Sequence, residues 1–178
     1  MTTLPDLADL KRWLRVEHDD DDLLLQALRS AAIGALEEET SLCFETRELT
    51  QRSLAGFPAS TTSMLKLRKG PVQSVAAVAY DPDGGGDEVV LASFRLVEGE
   101  RGGLLPAYGE AWPGTLPGPG TVRITYVAGF EPGELPDSLA QAVLMLAAFW
   151  YANRGESGGG LPGWIRAMVA SFVSVGLA

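Results

Sequence analysis

With 178 residues and 46% hydrophobic content, the chain is long enough for one compact core, or for a core with a smaller appended unit; its 21% charged fraction is that of a folded protein rather than a disordered one. A net charge of −9 and a pI near 4.6 argue against tight nucleic-acid binding, which rests on Lys and Arg displacing counterions. The plainest reading of that charge is solubility, although a surface past which DNA slides is also compatible with it.

Cys43 is the single cysteine, so an internal disulfide and a thiolate zinc cluster are both excluded. Its place between Leu42 and Phe44 reads as that of a buried small apolar residue. The Met1 end carries no charged-then-apolar signal pattern. The apolar run from Leu139 to Tyr151 is too short to span a bilayer, so no membrane partner is expected. A reducing cytosol, or a particle assembled in one, is the expected setting.

Thr3 to Asp6 form a helix-start signal, an acceptor followed three residues later by an acid, and predict a first helix near residues 4–15 with Leu7, Leu10 and Leu14 on one face. Asp19 to Asp22 precede an apolar run, and acids are favoured where a helix exposes its first N–H groups. A second helix is expected over about 21–42, with Leu24, Leu28, Ala31 and Ala35 as its stripe and Leu25, Ala32 and Leu36 widening it. Glu37, Glu38 and Glu39 fall near its C-terminal end, where the dipole disfavours anions; either solvent screens them or a basic partner compensates.

From about 45 to 130 the period changes. Leu65 to Leu67, Val72 to Tyr80, Val89 to Leu91 and Phe94 to Val97 are short β-like runs, and Thr121 to Val127 alternates with Val122, Ile124 and Tyr126 on one side. Asp81 to Gly86 reads as a hairpin loop, Gly99 to Gly103 as a second turn, and Pro113 to Gly120 as an irregular loop. These runs predict one small antiparallel sheet.

A third helix fills about 135–154. It opens either on a Ser138/Gln141 capping box or on Pro136 with Asp137 in the first turn. Leu139, Val143, Leu146, Phe149, Trp150 and Tyr151 make it apolar on nearly every side, so it must be covered all round, as subunit or core packing. A small domain can rarely cover such a helix alone, which points to neighbours. Gly155 to Gly163 is a flexible break, and Trp164, Ile165, Met168, Val169 and Phe172 recur beyond it at helical spacing, a tail suited to docking in a groove on a protein partner. The fold class is therefore α+β: a helical bundle of two N-terminal helices and a C-terminal helix, with an inserted small antiparallel β-sheet and a C-terminal docking tail. Residues 1–154 are read as one domain and 155–178 as the Gly-linked tail.

Nothing here resembles a catalytic site, and no metal or cofactor is expected. His18 with Asp19 to Asp22 reads as a solvated acidic turn, because consecutive residues do not converge on one ion. Asp81, Asp83 and Asp87 match a calcium loop only in part, since the twelfth position, which needs Glu, is Ala92. Gly84 to Gly86 lack the Lys-Ser or Lys-Thr pair of a phosphate loop. Trp150, Tyr151 and Trp164 have too little basic charge around them to act as base-stacking residues.

Six segments, in consistent order over roughly residues 4–155, carry a family likeness: Leu10 to Asp20, Gly56-Phe57-Pro58, Gly70 to Val75, Ala107 to Pro113, Val122 to Phe130, and Trp150 to Arg154. Together the chain resembles the head–tail connector proteins of tailed phages, also called adaptor or DNA-packaging connector proteins. The loop from Pro113 to Gly120 and the tail after Gly155 depart from that pattern. A phage, a prophage, or a gene transfer agent, which uses phage-like parts, could encode such a chain.

The resemblance implies a structural, non-catalytic subunit in the neck of a virion or phage-like particle, assembled in the bacterial host cytoplasm. It implies a ring of this chain, dodecameric, beneath the portal protein. The ring would extend the DNA channel, let DNA pass through its lumen without specific binding, and seat the next neck or tail-completion protein. The tail residues from Trp164 to Phe172 would then dock on the portal. Two rival readings are a non-catalytic binding module, whose β-rich middle recognises carbohydrate or another protein through Tyr108 or Trp112, and a small hydrolase using acidic residues.

Overall fold

The computed structural model describes residues 2–60, 63–153 and 160–173. It has the expected α+β class and divides into two compact units: residues 1–45 with 130–178, and residues 46–129. The first is helical and the second is β, inserted in sequence between the second and third helices.

In the first unit, α1 (Leu7–Leu14) starts on a reciprocal cap: the Asp9 N–H donates to Asp6 Oδ1 at 2.8 Å and the Asp6 N–H donates to Asp9 Oδ2 at 3.1 Å. The cap is thus Asp6 and not the expected Thr3. Leu4 precedes Pro5, which disfavours helical backbone there, and the Thr2 N–H is drawn to the Leu135 carbonyl at 2.8 Å. α2 (Asp22–Thr40) ends on Ser41, whose φ is 58°.

Glu37 and Glu39, near the end of α2, have local partners. Glu37 is buried and its carboxylate accepts from the Phe44 N–H at 2.7 Å, while the Thr40 hydroxyl donates to the Leu36 carbonyl at 2.7 Å. Arg166 Nε approaches Glu39 Oε1 at 3.4 Å, supplying a basic partner. The stripe that is buried is Leu25, Ala32 and Leu36; Leu24 and Ala31 lie outward.

α3 (Asp137–Ala152) opens with Pro136 just before it and Asp137 in its first turn. The Leu139 and Ala140 N–H groups share the Pro136 carbonyl at 2.9 and 3.1 Å, and Ser138 forms no capping box. The short α4 (Gly163–Val169) packs on α3. Leu10, Leu25, Leu36, Leu139, Val143 and Leu146 are fully buried in the core these helices share. The stretch 154–159, most of the expected flexible break, lies outside the described residues.

In the second unit there are two antiparallel sheets where one was expected. One runs β1 (Arg47–Arg52), β7 (Val122–Ala128), β3 (Val72–Tyr80), β4 (Val89–Val90). The other runs β2 (Leu65–Lys66), β6 (Gly103–Pro106), β5 (Phe94–Val97). The division arises because β6 pairs with its hairpin neighbour β5 and with β2, leaving β7 to pair with β1 and β3. Each sheet is half-buried: Val78, Val122, Ile124 and Tyr126 from one, and Leu65 and Leu104 from the other, are withdrawn from solvent. Gln51 joins them, its amide donating to the Lys66 carbonyl at 3.0 Å and accepting from the Arg68 N–H at 2.7 Å.

Candidate functional site

The residues expected to pack subunits or the core separate into two groups. Leu139, Val143 and Leu146 are fully buried inside the first unit. Phe149, Trp150 and Tyr151 are half-buried at the closing end of α3: Phe149 meets Trp164 edge-on with ring centroids 6.0 Å apart, and the Tyr151 hydroxyl donates to Asp21. Only the start and end of α3, with Gln141, are exposed. The chain's own helices therefore cover most of a helix whose composition pointed to neighbours.

The expected docking tail is also built into this core. Ile165 and Val169 are fully buried, Met168 and Phe172 are packed against the same cluster, and Trp164 remains 41% exposed. Besides Trp164, the first unit turns Trp13, Leu23 and Leu24 to solvent, with Leu23 86% exposed. Periodicity could not single them out, because Leu23 and Leu24 adjoin the buried Leu25 in one run. Trp13 lines an open groove of about 630 Å³ with Asp9, Arg12, Asp137, Gln141 and Leu144.

Charge is divided sharply between the units. The first holds 15 acidic and 6 basic residues, and the second holds 8 of each, so the net −9 belongs wholly to the first. Five acids fall among residues 17–22. Lys11 answers two of them, donating to Asp19 at 2.6 Å and to Asp22 at 2.7 Å. Those hydrogen bonds raise the Lys11 pKa and lower that of Asp19. Within the second unit, residues 46–80 carry five basic side chains against one acidic, a contrast visible in sequence only once the unit boundaries are known.

The carboxylates that partly match a calcium loop do not converge. Asp81 is held by Arg123 through two bonds of 2.6 and 3.1 Å, which lower its pKa, and Asp83 lies against Gly114. The hairpin reading of Asp81 to Gly86 accords with the antiparallel pairing of β3 and β4. Among the described residues no group of three or more His, Cys, Asp or Glu could hold a metal ion, and no helix is long and apolar enough to cross a membrane.

No family model matches the sequence, and no curated protein matches it. Solved structures do. The chain is similar to one in the neck of an empty gene transfer agent particle computed with C6 symmetry, at 27% identity and a TM-score of 0.78, over 100% of this chain and 95% of that one. A chain in the virion of a native gene transfer agent particle matches at 27% identity and a TM-score of 0.77, covering 98% and 92%. A third, in the neck of a native particle computed with C12 symmetry, matches at 28% identity and 0.68, covering 100% and 95%.

Proposed function

We propose that this head–tail connector-like protein, of the kind found in the gene transfer agent neck, is a structural adaptor subunit of a phage-like particle. The observation that carries the reading is likeness over the whole chain, at 27% identity, to a chain of a gene transfer agent neck. In this reading twelve copies form a ring beneath the portal. The ring extends the DNA channel and seats the next neck or tail-completion protein, and its assembly takes place in the host cytoplasm. The acidic balance supports a lumen that does not grip DNA. Catalysis plays no part in this role.

The fold suggests a division of labour. The buried face of α3 holds the first unit together, while Trp13, Leu23 and Leu24 offer apolar surface to neighbours. Trp164 is the outward residue of α4 for contact with the portal, with Met168 and Phe172 half-buried behind it. Electron microscopy of the purified chain mixed with its portal ring tests the reading. A ring of this chain on one end of the portal is expected; monomers alone, with portal present, would refute it.

One observation favours the rival binding module. Tyr108 is 86% exposed, with the Arg95 guanidinium 4.2 Å from its ring centroid. Trp112, by contrast, is stacked on Phe57 at 4.8 Å and donates to the Ser63 carbonyl. Specific retention on a glycan array, lost in Tyr108→Ala, would support this second reading.

A further inference from the structure

The second sheet has an outward face that the adaptor reading leaves without a role. In and just beyond β2, Leu65 and Leu67 are buried while Lys66 and Arg68 are exposed, so both cations leave the same side of the sheet. Register carries that side across the sheet: Lys66 pairs with Gly103, and Gly103 with Val97, which is 38% exposed. Arg95, two residues before Val97, shares the face and is held there by its Nε bond of 2.8 Å to the Pro106 carbonyl and by the Tyr108 ring. Lys66, Arg68 and Arg95 thus line one face, with Glu98 and Glu100 in the turn at one end and Glu110 beside Arg95 and Tyr108.

The opposite chemistry lies in the first unit. Between α1 and α2, Lys11 holds Asp19 and Asp22, and Asp21 accepts from Tyr151. Glu17 and Asp20 are exposed, the Asp20 side chain by 95%. A ring of more than two copies requires two different faces on each chain, since the same patch cannot meet itself around the circle. Apposing two first units, each carrying −9, would press like charges together.

We infer that the Lys66–Arg68–Arg95 face of one copy docks on the Glu17–Asp20 turn of the next copy. The inference rests on the ring reading above and specifies a charge-matched contact within it. Duplex DNA is the less suitable occupant: three cations rimmed by Glu98, Glu100 and Glu110 would neutralise few phosphates.

Three full-length variants test it: Lys66→Glu with Arg68→Glu, Glu17→Lys with Asp20→Lys, and all four together. Ring formation, alone and on the portal ring, is followed by sedimentation over a salt series, with circular dichroism to verify folding. Wild-type rings are expected to weaken as salt rises, and each pair of reversals to weaken association by about tenfold. The fourfold variant, whose faces are complementary again, should return to within a few fold of wild type. Paired reversals that assemble as wild type overturn the contact while leaving the ring reading intact. So do rings that survive Lys66→Glu with Arg68→Glu while the retention of duplex DNA is lost, which would assign the face to DNA. Absence of any wild-type ring on the portal removes the ring reading itself, and this contact with it.

Discussion

The Tyr151 hydroxyl donates a hydrogen bond to Asp21 Oδ2, joining the last turn of α3 to the residue that opens α2, 130 positions away. Asp21, whose backbone lies at φ −97° and ψ 4° rather than in the extended region of an N-cap, makes no side-chain cap on its own helix. Removing the hydroxyl in Tyr151→Phe leaves a part-buried carboxylate with one donor fewer and should cost about 1–2 kcal/mol. Urea unfolding checks this: the midpoint should fall with the slope unchanged. An unchanged midpoint would mean that the bond adds nothing to stability.

How far the sequence reaches is clearest in the helices. The acids before α2, the apolar character of α3 and the helical spacing after Gly163 all correspond to observed elements. The buried face of α2 is legible only in part: the spacing gives Leu25, Ala32 and Leu36 as a widening of the stripe, not as its centre. Apolar residues nearly encircle that helix, so Leu24, Leu28, Ala31 and Ala35 fit a stripe as well as Leu25, Ala32 and Leu36 do, and only packing against α3 selects the latter. The same holds for the sheets. Strands of two residues, such as β2 and β4, carry no period, and the partner of β6 is a tertiary choice. Surface roles were the least legible, because exposure of Leu23 and burial of Ile165 depend on neighbours far along the chain.

The start of α1 offers a direct contrast between two candidate caps. Asp6→Ala removes the acceptor for the Asp9 N–H and breaks the reciprocal cap; it should cost about 1 kcal/mol. Thr3→Ala, at the position that sequence spacing alone selects, should change stability by less than about 0.5 kcal/mol. Thermal unfolding of the two variants ranks them. Equal losses would place the cap at neither residue alone.

Arg123 predicts a pH dependence. It grips Asp81 with two bonds and Glu88 with a third of 2.6 Å, and also donates to the Gly120 carbonyl at 2.9 Å. The bonds to Arg123 hold the Asp81 pKa below its ordinary 3.8, so the carboxylate favours the folded state once ionised. That stabilisation is fully present above pH 3.8 and is lost as pH falls through the lower, folded value. Arg123→Met should therefore be less stable than wild type at neutral pH, with the gap narrowing below pH 3.8. Denaturant midpoints measured across that range provide the check. A gap that stays constant would assign the loss to packing of the arginine stem instead of to charge.

Leu146 and Leu23 separate what holds the subunit together from what it presents. Leu146 is fully buried on α3 among side chains from the other helices, whereas Leu23, in the first turn of α2, is 86% exposed. Leu146→Ala should leave a cavity and cost about 2–5 kcal/mol. Leu146→Asp adds a buried charge without a partner and should prevent folding. Leu23→Ala should leave the stability of the isolated chain within about 0.5 kcal/mol. If Leu23 meets a neighbouring copy, that variant loses ring yield without losing stability; in Leu146→Ala, by contrast, ring yield should track the unfolded fraction. Unfolding curves and sedimentation on the same samples measure both quantities. Stability losses of equal size would remove Leu146 from the core of the first unit and undo the assignment of α3 as its packing spine.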